Sequence, residues 1–318
     1  MSLWDKFVNF LQWRQDECGP SSSRPNPEKA PEDATKPYRF SAITESPAEA
    51  LELEISAQTD PGVIRSNNED RGFYTRPSDP QLAAAKGTLI IVADGMGGAL
   101  AGEVASDMAI RLIPELYFSS PKEPAVALKE ALESTSKEIH QRAQAEPGKH
   151  GMGTTCVALA IAQPQAFMAY VGDSRLYLLR DGYFYQLTED HSVVFEMVRS
   201  GIITPDQARN HDERNVLTLS IGGRPEITAS YWEKPMMVRK GDRFLVCTDG
   251  LHDLVSDSEI QALISDSTPD VAVHNLIEAA KRHGGHDNIT AALVHVRVGR
   301  VKPDTVSRPT REMPIKSE

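Results

Sequence analysis

Leu89-Ile-Ile-Val-Ala-Asp94-Gly95-Met96-Gly97-Gly98 sets the reading of this chain. An unbroken apolar run rich in β-branched residues is the mark of a buried strand. A carboxylate closes the strand, and three glycines follow within four residues. They let backbone carbonyls and amides come close to whatever the carboxylate holds. Residues 100–117 then read as a helix. Strand, acid, glycine turn and helix form a platform for a cation or a phosphate, although an Asp-Gly after a strand is also an ordinary turn.

The pattern recurs. Arg243-Phe-Leu-Val-Cys-Thr248 is a second apolar strand ending in Asp249-Gly250. Asp287 stands just before the strand that runs from Asn288 to Val296, and Asn67-Asn68-Glu69-Asp70 precedes Arg71-Gly-Phe-Tyr-Thr75. Two acids therefore close strands and two open them. In an antiparallel sheet the end of one strand lies beside the start of its neighbour, so one sheet would gather all four on a rim. Carboxylates packed so closely repel and take up protons unless cations neutralise them. An all-oxygen donor set favours Mg²⁺ or Mn²⁺ over Zn²⁺.

The bulk numbers allow a sizeable folded core. The chain has 318 residues, 40% of them hydrophobic, and a formal net charge of −11. That charge argues against a general binder of nucleic acid or of anionic membranes. Cys18, Cys156 and Cys247 are far apart and show neither a disulfide framework nor zinc spacing, which predicts a cytoplasmic setting. No signal peptide and no apolar run long enough for a membrane span is evident.

Residues 1–17 place Leu3, Trp4, Phe7, Val8 and Leu11 on one face at helical spacing, with Trp13 extending it. This amphipathic helix reads as a docking element for a partner or a membrane surface; packing back on the main domain is the alternative. Residues 18–50, with six prolines, read as a linker. The main domain is expected over 51–298, opened by the half-buried strand Leu51–Ala57, with a polar tail over 299–318. Helices are expected at 123–145, 191–200, 204–210, 256–264 and 268–283. Strands are expected at 152–161, 166–171, 174–180, 183–187, 226–231 and 243–248, with hairpin turns at Gly172-Asp173 and Asp181-Gly182. The order is no regular βαβ alternation; it fits two packed antiparallel sheets with helices outside.

Assembled, the motifs are Thr59-Asp-Pro-Gly-Val-Ile-Arg65-Ser-Asn-Asn-Glu69-Asp70, Val92-Ala-Asp94-Gly95-Met-Gly-Gly, Gly151-Met-Gly-Thr-Thr155, Val171-Gly-Asp173-Ser-Arg175, Leu187-Thr-Glu-Asp-His-Ser192, Cys247-Thr-Asp249-Gly-Leu251 and Asp287-Asn-Ile-Thr290. In this order, over about residues 54–297, the chain resembles a bacterial member of the type 2C, metal-dependent (PPM) family of Ser/Thr protein phosphatases. The resemblance implies an α+β fold, a four-layer α-β-β-α sandwich, with a two-metal centre of Mn²⁺ or Mg²⁺. Asp94 would bridge both ions, with the Gly95 carbonyl and Glu69 on one side and Asp249 and Asp287 on the other. Asp70 would act through metal-bound waters, and Asp173 would help to hold a third, weaker ion. Arg65 would grip the substrate phosphate, and residues 188–223 would form a flap beside the site.

Two cations about 3.5–4 Å apart lower the pKa of a shared water enough for in-line attack on phosphorus. Asp94, Asp249 and Arg65 are thus the expected catalytic groups, and the substrates would be phosphoproteins made by a Ser/Thr kinase. A scaffold that keeps the fold without turnover is the rival reading. It rests on Ala99 and Leu219, where many bacterial relatives carry histidine and arginine. Met96 likewise stands where some relatives have a histidine acid, and His286 reads as a surface or supporting group. Cys18-x5-Arg24 mimics a cysteine phosphatase motif but lies in the linker. Asn288-Ile-Thr290 mimics a glycosylation sequon but lies in a core strand.

Overall fold

The computed structural model describes residues 51–97 and 101–299. The expectations for residues 1–17, for the linker, for Ala99 and for the C-terminal tail lie outside the described residues.

The first sheet has the order β1-β12-β11-β7-β8, built from β1 (Leu51–Asp60), β12 (Ile289–Val298), β11 (Arg243–Cys247), β7 (Arg175–Arg180) and β8 (Tyr183–Gln186). The second has the order β10-β6-β5-β3-β2, from β10 (Met236–Met237), β6 (Gln165–Val171), β5 (Cys156–Ala162), β3 (Thr88–Met96) and β2 (Asp70–Thr75). Two short strands lie off this path: β4 (Gly153–Thr154) pairs with β3, and β9 (Ser230–Tyr231) pairs with β6. All these pairings are antiparallel.

Three cores separate four layers. Ile90 and Val92 of β3 meet Phe244, Val246, Ala292 and Val294 between the sheets. Leu89, Ile91 and Ala93 face the other way, onto α2 (Ala101–Ser119) and α3 (Pro124–Ala145). On the far side, Leu245, Cys247, Ala291 and Leu293 pack against α7 (Asp257–Ser265) and α8 (Pro269–Arg282). A strand buried on both faces reads as an unbroken apolar run, which is why β3 does not alternate. β1 does alternate: Leu53, Ile55 and Ala57 turn to the inter-sheet core.

Several elements differ from expectation. The turn at Gly172-Asp173 is not a hairpin. β6 pairs with β5 and β7 pairs with β11, so the chain crosses there from one sheet to the other. The strand expected at 226–231 shrinks to Ser230–Tyr231, because the Ala229 amide donates to the Glu133 carboxylate of α3 instead of to a strand. The helix α1 (Pro80–Lys86) was not foreseen, although Asp79 caps it and Pro80 opens it. Short helices α4 (Val193–Arg199) and α5 (Pro205–Arg209) lie where helices were expected. Thr204 and Gln207 form a reciprocal capping box on α5. The turn α6 (Asp249–His252) follows β11 directly. Among the described residues no helix is long and apolar enough to cross a membrane.

Candidate metal centre

The sandwich brings the acids together from both sheets rather than along a single rim. In one sheet Asp70 opens β2 and sits directly opposite Asp94 of β3. In the other, Asp249 follows the end of β11 and Asp287 precedes β12, two neighbouring strands. Asp173 joins them from the crossover between the sheets.

Close backbone approaches hold this end of the sandwich shut. A side chain at Gly95 would lie 2.2 Å from the Gly102 carbonyl of α2, so only glycine lets the first turn of α2 rest on the strand. Gly250 is equally constrained, since a Cβ there would lie 1.9 Å from the Asn288 carbonyl. The Asp94 backbone is fixed by Thr155, whose Oγ1 accepts from the Asp94 amide at 3.1 Å and whose amide donates to the Asp94 carbonyl at 2.8 Å.

Two polar side chains clamp the sheets together. Thr248 Oγ1 donates to Asp70 Oδ2 at 2.8 Å, tying β11 to β2. Asn288 accepts from the Glu69 amide at 2.8 Å and donates Nδ2 to the carbonyls of Pro61 and Asn67 at 3.1 and 2.8 Å. Asn288 therefore positions the whole loop that carries Arg65, Glu69 and Asp70, and its sequon-like neighbourhood is a structural joint. Sequence reading passed over Thr248 and Asn288. The signal was there, a polar residue beside each Asp in an otherwise apolar strand. His191 was also missed. Its Nδ1 accepts from the Gly172 amide at 3.0 Å, its Nε2 is 3.0 Å from Ser230 Oγ, and its ring stacks on Tyr170. It anchors the crossover that presents Asp173.

The electrostatics of the recess are unbalanced. Burial pushes the Asp249 carboxyl up to about 7, with Asp253, Asp287 and Asp70 adding repulsion. Burial, then Asp249 and Asp190, push Asp173 up to about 8. Asp94 is held well above the ordinary carboxylate range by burial and by Asp70, Asp249, Asp173 and Asp287 together. Asp70 rises to about 6, chiefly by burial, against the pull of its hydroxyl donors. Glu69 is also raised by burial. Desolvation and mutual repulsion both favour the protonated acids, and a divalent cation among them reverses both effects. The donors are all oxygen, which suits a hard ion. No three acidic, His or Cys side chains among the described residues form a ready-made metal cage. Ions of the Mg²⁺ type do not require one, since they keep several waters and take few carboxylates. The residues present therefore fit a centre of divalent cations.

The expected residues differ in how free they are. Asp287 is already engaged: Oδ2 accepts from Arg65 Nη2 at 2.9 Å and Oδ1 from the Asn288 amide at 2.8 Å. Arg65 stands at the lip with its side chain 54% exposed, its charge favoured by Asp287 first and by Glu69 and Asp94 beyond it. A cavity of about 660 Å³ opens beside Asp173, between α4, α5 and the end of α6; Phe195, Arg209, Arg214 and Asp253 help to line it. His286 is exposed at its edge. Leu219 packs against the helix-side core, which accounts for an apolar residue there.

The sequence profile described as Protein phosphatase 2C matches residues 81–283. The chain belongs to the protein phosphatase 2C family. It is 38% identical over 248 residues to a protein named serine/threonine phosphatase stp from Listeria innocua, covering 76% of this chain and 95% of that one. The catalytic domain of the phosphatase PstP, solved with two manganese ions, superposes with a TM-score of 0.68 at 35% identity, over 78% of this chain and all of that one. The S. agalactiae serine/threonine phosphatase gives a TM-score of 0.70 at 34% identity, over 77% of this chain and 99% of that one. These solved relatives share the two antiparallel sheets with flanking helices, so the expected fold class stands for this phosphatase.

Proposed function

We propose that this protein is a metal-dependent phosphatase that hydrolyses phosphoserine and phosphothreonine on proteins, opposing a cytoplasmic or membrane-tethered Ser/Thr kinase. One observation carries the reading: the desolvated acids Asp94, Asp173 and Asp249 converge near the exposed Arg65, and burial with mutual repulsion raises all three above the ordinary carboxylate range. Kinship with phosphatases, one of them solved with manganese, supports it.

Glu69, Asp94, the Gly95 carbonyl, Asp249 and Asp287 are the residues to hold two Mn²⁺ or Mg²⁺ ions. Asp70 would act through their water shell, and Asp173 with Asp249 would help to hold a third. When bound, such ions supply a water nucleophile at neutral pH and positive charge for the phosphoryl oxygens. The protein's share is placement. Asp94 is fixed between the sheets by Thr155. Asn288 fixes the loop that carries Glu69 and Arg65. Arg65 offers two parallel donors to a phosphoryl group, a geometry lysine cannot copy. The residues at 188–223 flank the recess as a flap, and the cavity beside Asp173 gives the polypeptide around the phosphoresidue somewhere to lie. The retained acids and Arg65 favour turnover over the scaffold reading. Free, buried Cys156 and Cys247 support a reducing compartment.

The test is phosphate release from a phosphothreonine peptide with Mn²⁺, with Mg²⁺ and with EDTA. Release with metal and none with EDTA is expected. A folded, Mn²⁺-binding protein that releases no phosphate overturns the proposal.

A further inference from the structure

Toward the end of β2 away from Asp70, its outer edge borders an apolar groove of about 590 Å³ between α1 and α2. Phe73, Leu82, Ile110, Pro114 and Phe118 line it. β2 ends its sheet, and among the described residues no strand pairs with its outer side. Phe73 is 37% exposed and the adjacent Tyr74 is 45% exposed. An edge strand bearing exposed aromatics invites association unless something covers it.

The chain carries a candidate cover of its own. Leu3, Trp4, Phe7, Val8 and Leu11 repeat at helical spacing ahead of the domain. β1 packs across the sandwich from β2. Asp60 pairs with Ile289 at the metal end, so Leu51, paired with Val298, stands at the opposite end. Asp70 lies opposite Asp94 at the metal end, and Thr75, opposite Leu89, lies at that same remote end. The tether of residues 18–50 thus leaves the domain at the corner where the groove lies. A random coil as long as residues 18–50 would have a root-mean-square reach of about 30 Å, and linkers of that reach give effective concentrations on the order of millimolar. A contact of only millimolar affinity is then occupied much of the time.

Charge selects this occupant over a membrane. The groove is shallow and open, and its lining mixes Asp79 and Glu115 with Arg111. Residues 1–17 are mixed in the same way, with Asp5, Asp16 and Glu17 against Lys6 and Arg14. A segment that lies on anionic lipid carries a strongly basic face instead.

We infer that the apolar face of residues 3–11 docks in the groove between β2, α1 and α2 of its own chain. The segment covers the free strand edge and sequesters Phe73 and Phe118.

The test uses hydrogen exchange on the full-length protein, comparing wild type with Phe7→Asp, Leu82→Arg and the double variant. Hydrolysis of a small phosphate ester at the wild-type rate serves as the folding control. Exchange over α1 and residues 110–118 is expected to accelerate by about three-fold or more in each single variant, and no further in the double. Phe7→Asp alters no residue of the groove itself, so its result stands even if Leu82→Arg does not fold. Unchanged groove exchange in Phe7→Asp overturns the inference. Protection that grows with protein concentration also overturns it, because the segment then covers a second copy.

Discussion

The two ends of β7 and β11 treat buried charge in opposite ways. At the end remote from the recess, Arg180 meets Asp242 through two bonds of 2.7 and 2.6 Å, with the side chains 6% and 1% exposed. Asp242 also accepts from the Arg239 amide at 2.7 Å. At the other end of the same strands stand Asp173 and Asp249, both raised far above ordinary carboxylates. The nearby Arg175 does not relieve them, because it is spent on Asp190 through bonds of 2.9 and 2.6 Å. The fold can supply an arginine to a buried acid, and here it withholds one. An acid left so is stable only with a proton or a cation, and on that contrast the proposed metal centre rests.

Removing charge at each end in turn should have opposite effects. Asp249→Asn should lower phosphate release by at least about a thousand-fold, about 4 kcal/mol of barrier, while raising the melting temperature of the metal-free protein by relieving repulsion. Asp242→Ala should do the reverse. It strands a buried arginine and should cost about 3–5 kcal/mol in denaturant unfolding, with turnover per folded molecule unchanged. Asn288→Ala leaves the Glu69 amide and two carbonyls without partners and should cost about 2–4 kcal/mol, with a fall in turnover as the Arg65 loop loosens. Thr248→Val removes one hydroxyl from Asp70 and should cost about 1–2 kcal/mol in the same assay.

A pH series sharpens the comparison further. Asp249 near 7 and Asp173 near 8 hold protons that the unfolded chain releases near pH 4. Between those values the folded state binds more protons, so the stability of the metal-free protein falls as pH rises from about 5 to 8. Saturating Mn²⁺ should flatten that slope, which thermal melts with and without metal would show.

Much of this contrast was legible in the sequence, and the rest had physical reasons to be hidden. Asp94 and Asp249 end apolar strands, and Asp70 and Asp287 begin strands, so pairing rules place them at one end. That they come from two sheets was not legible: Gly172-Asp173 looks like any hairpin turn, and only the packing of both strand pairs shows a crossover. The loss of most of the strand at 226–231 was hidden because it depends on Glu133, nearly a hundred residues away. Asn288 and Thr248 read as ordinary strand residues, since their work is done across the gap between sheets. The cap Asp79-Pro80, by contrast, was open to reading and simply passed over.

The most direct test of the central claim is calorimetric titration of the metal-free protein with Mn²⁺ at pH 7, in buffers of different ionisation enthalpy. Acids that keep their protons for want of a cation must release them on binding. Mn²⁺ should bind with net proton release, reduced in Asp249→Asn and unchanged in a folded Asp242 variant. Binding without proton release, or no binding in a folded protein, would contradict it.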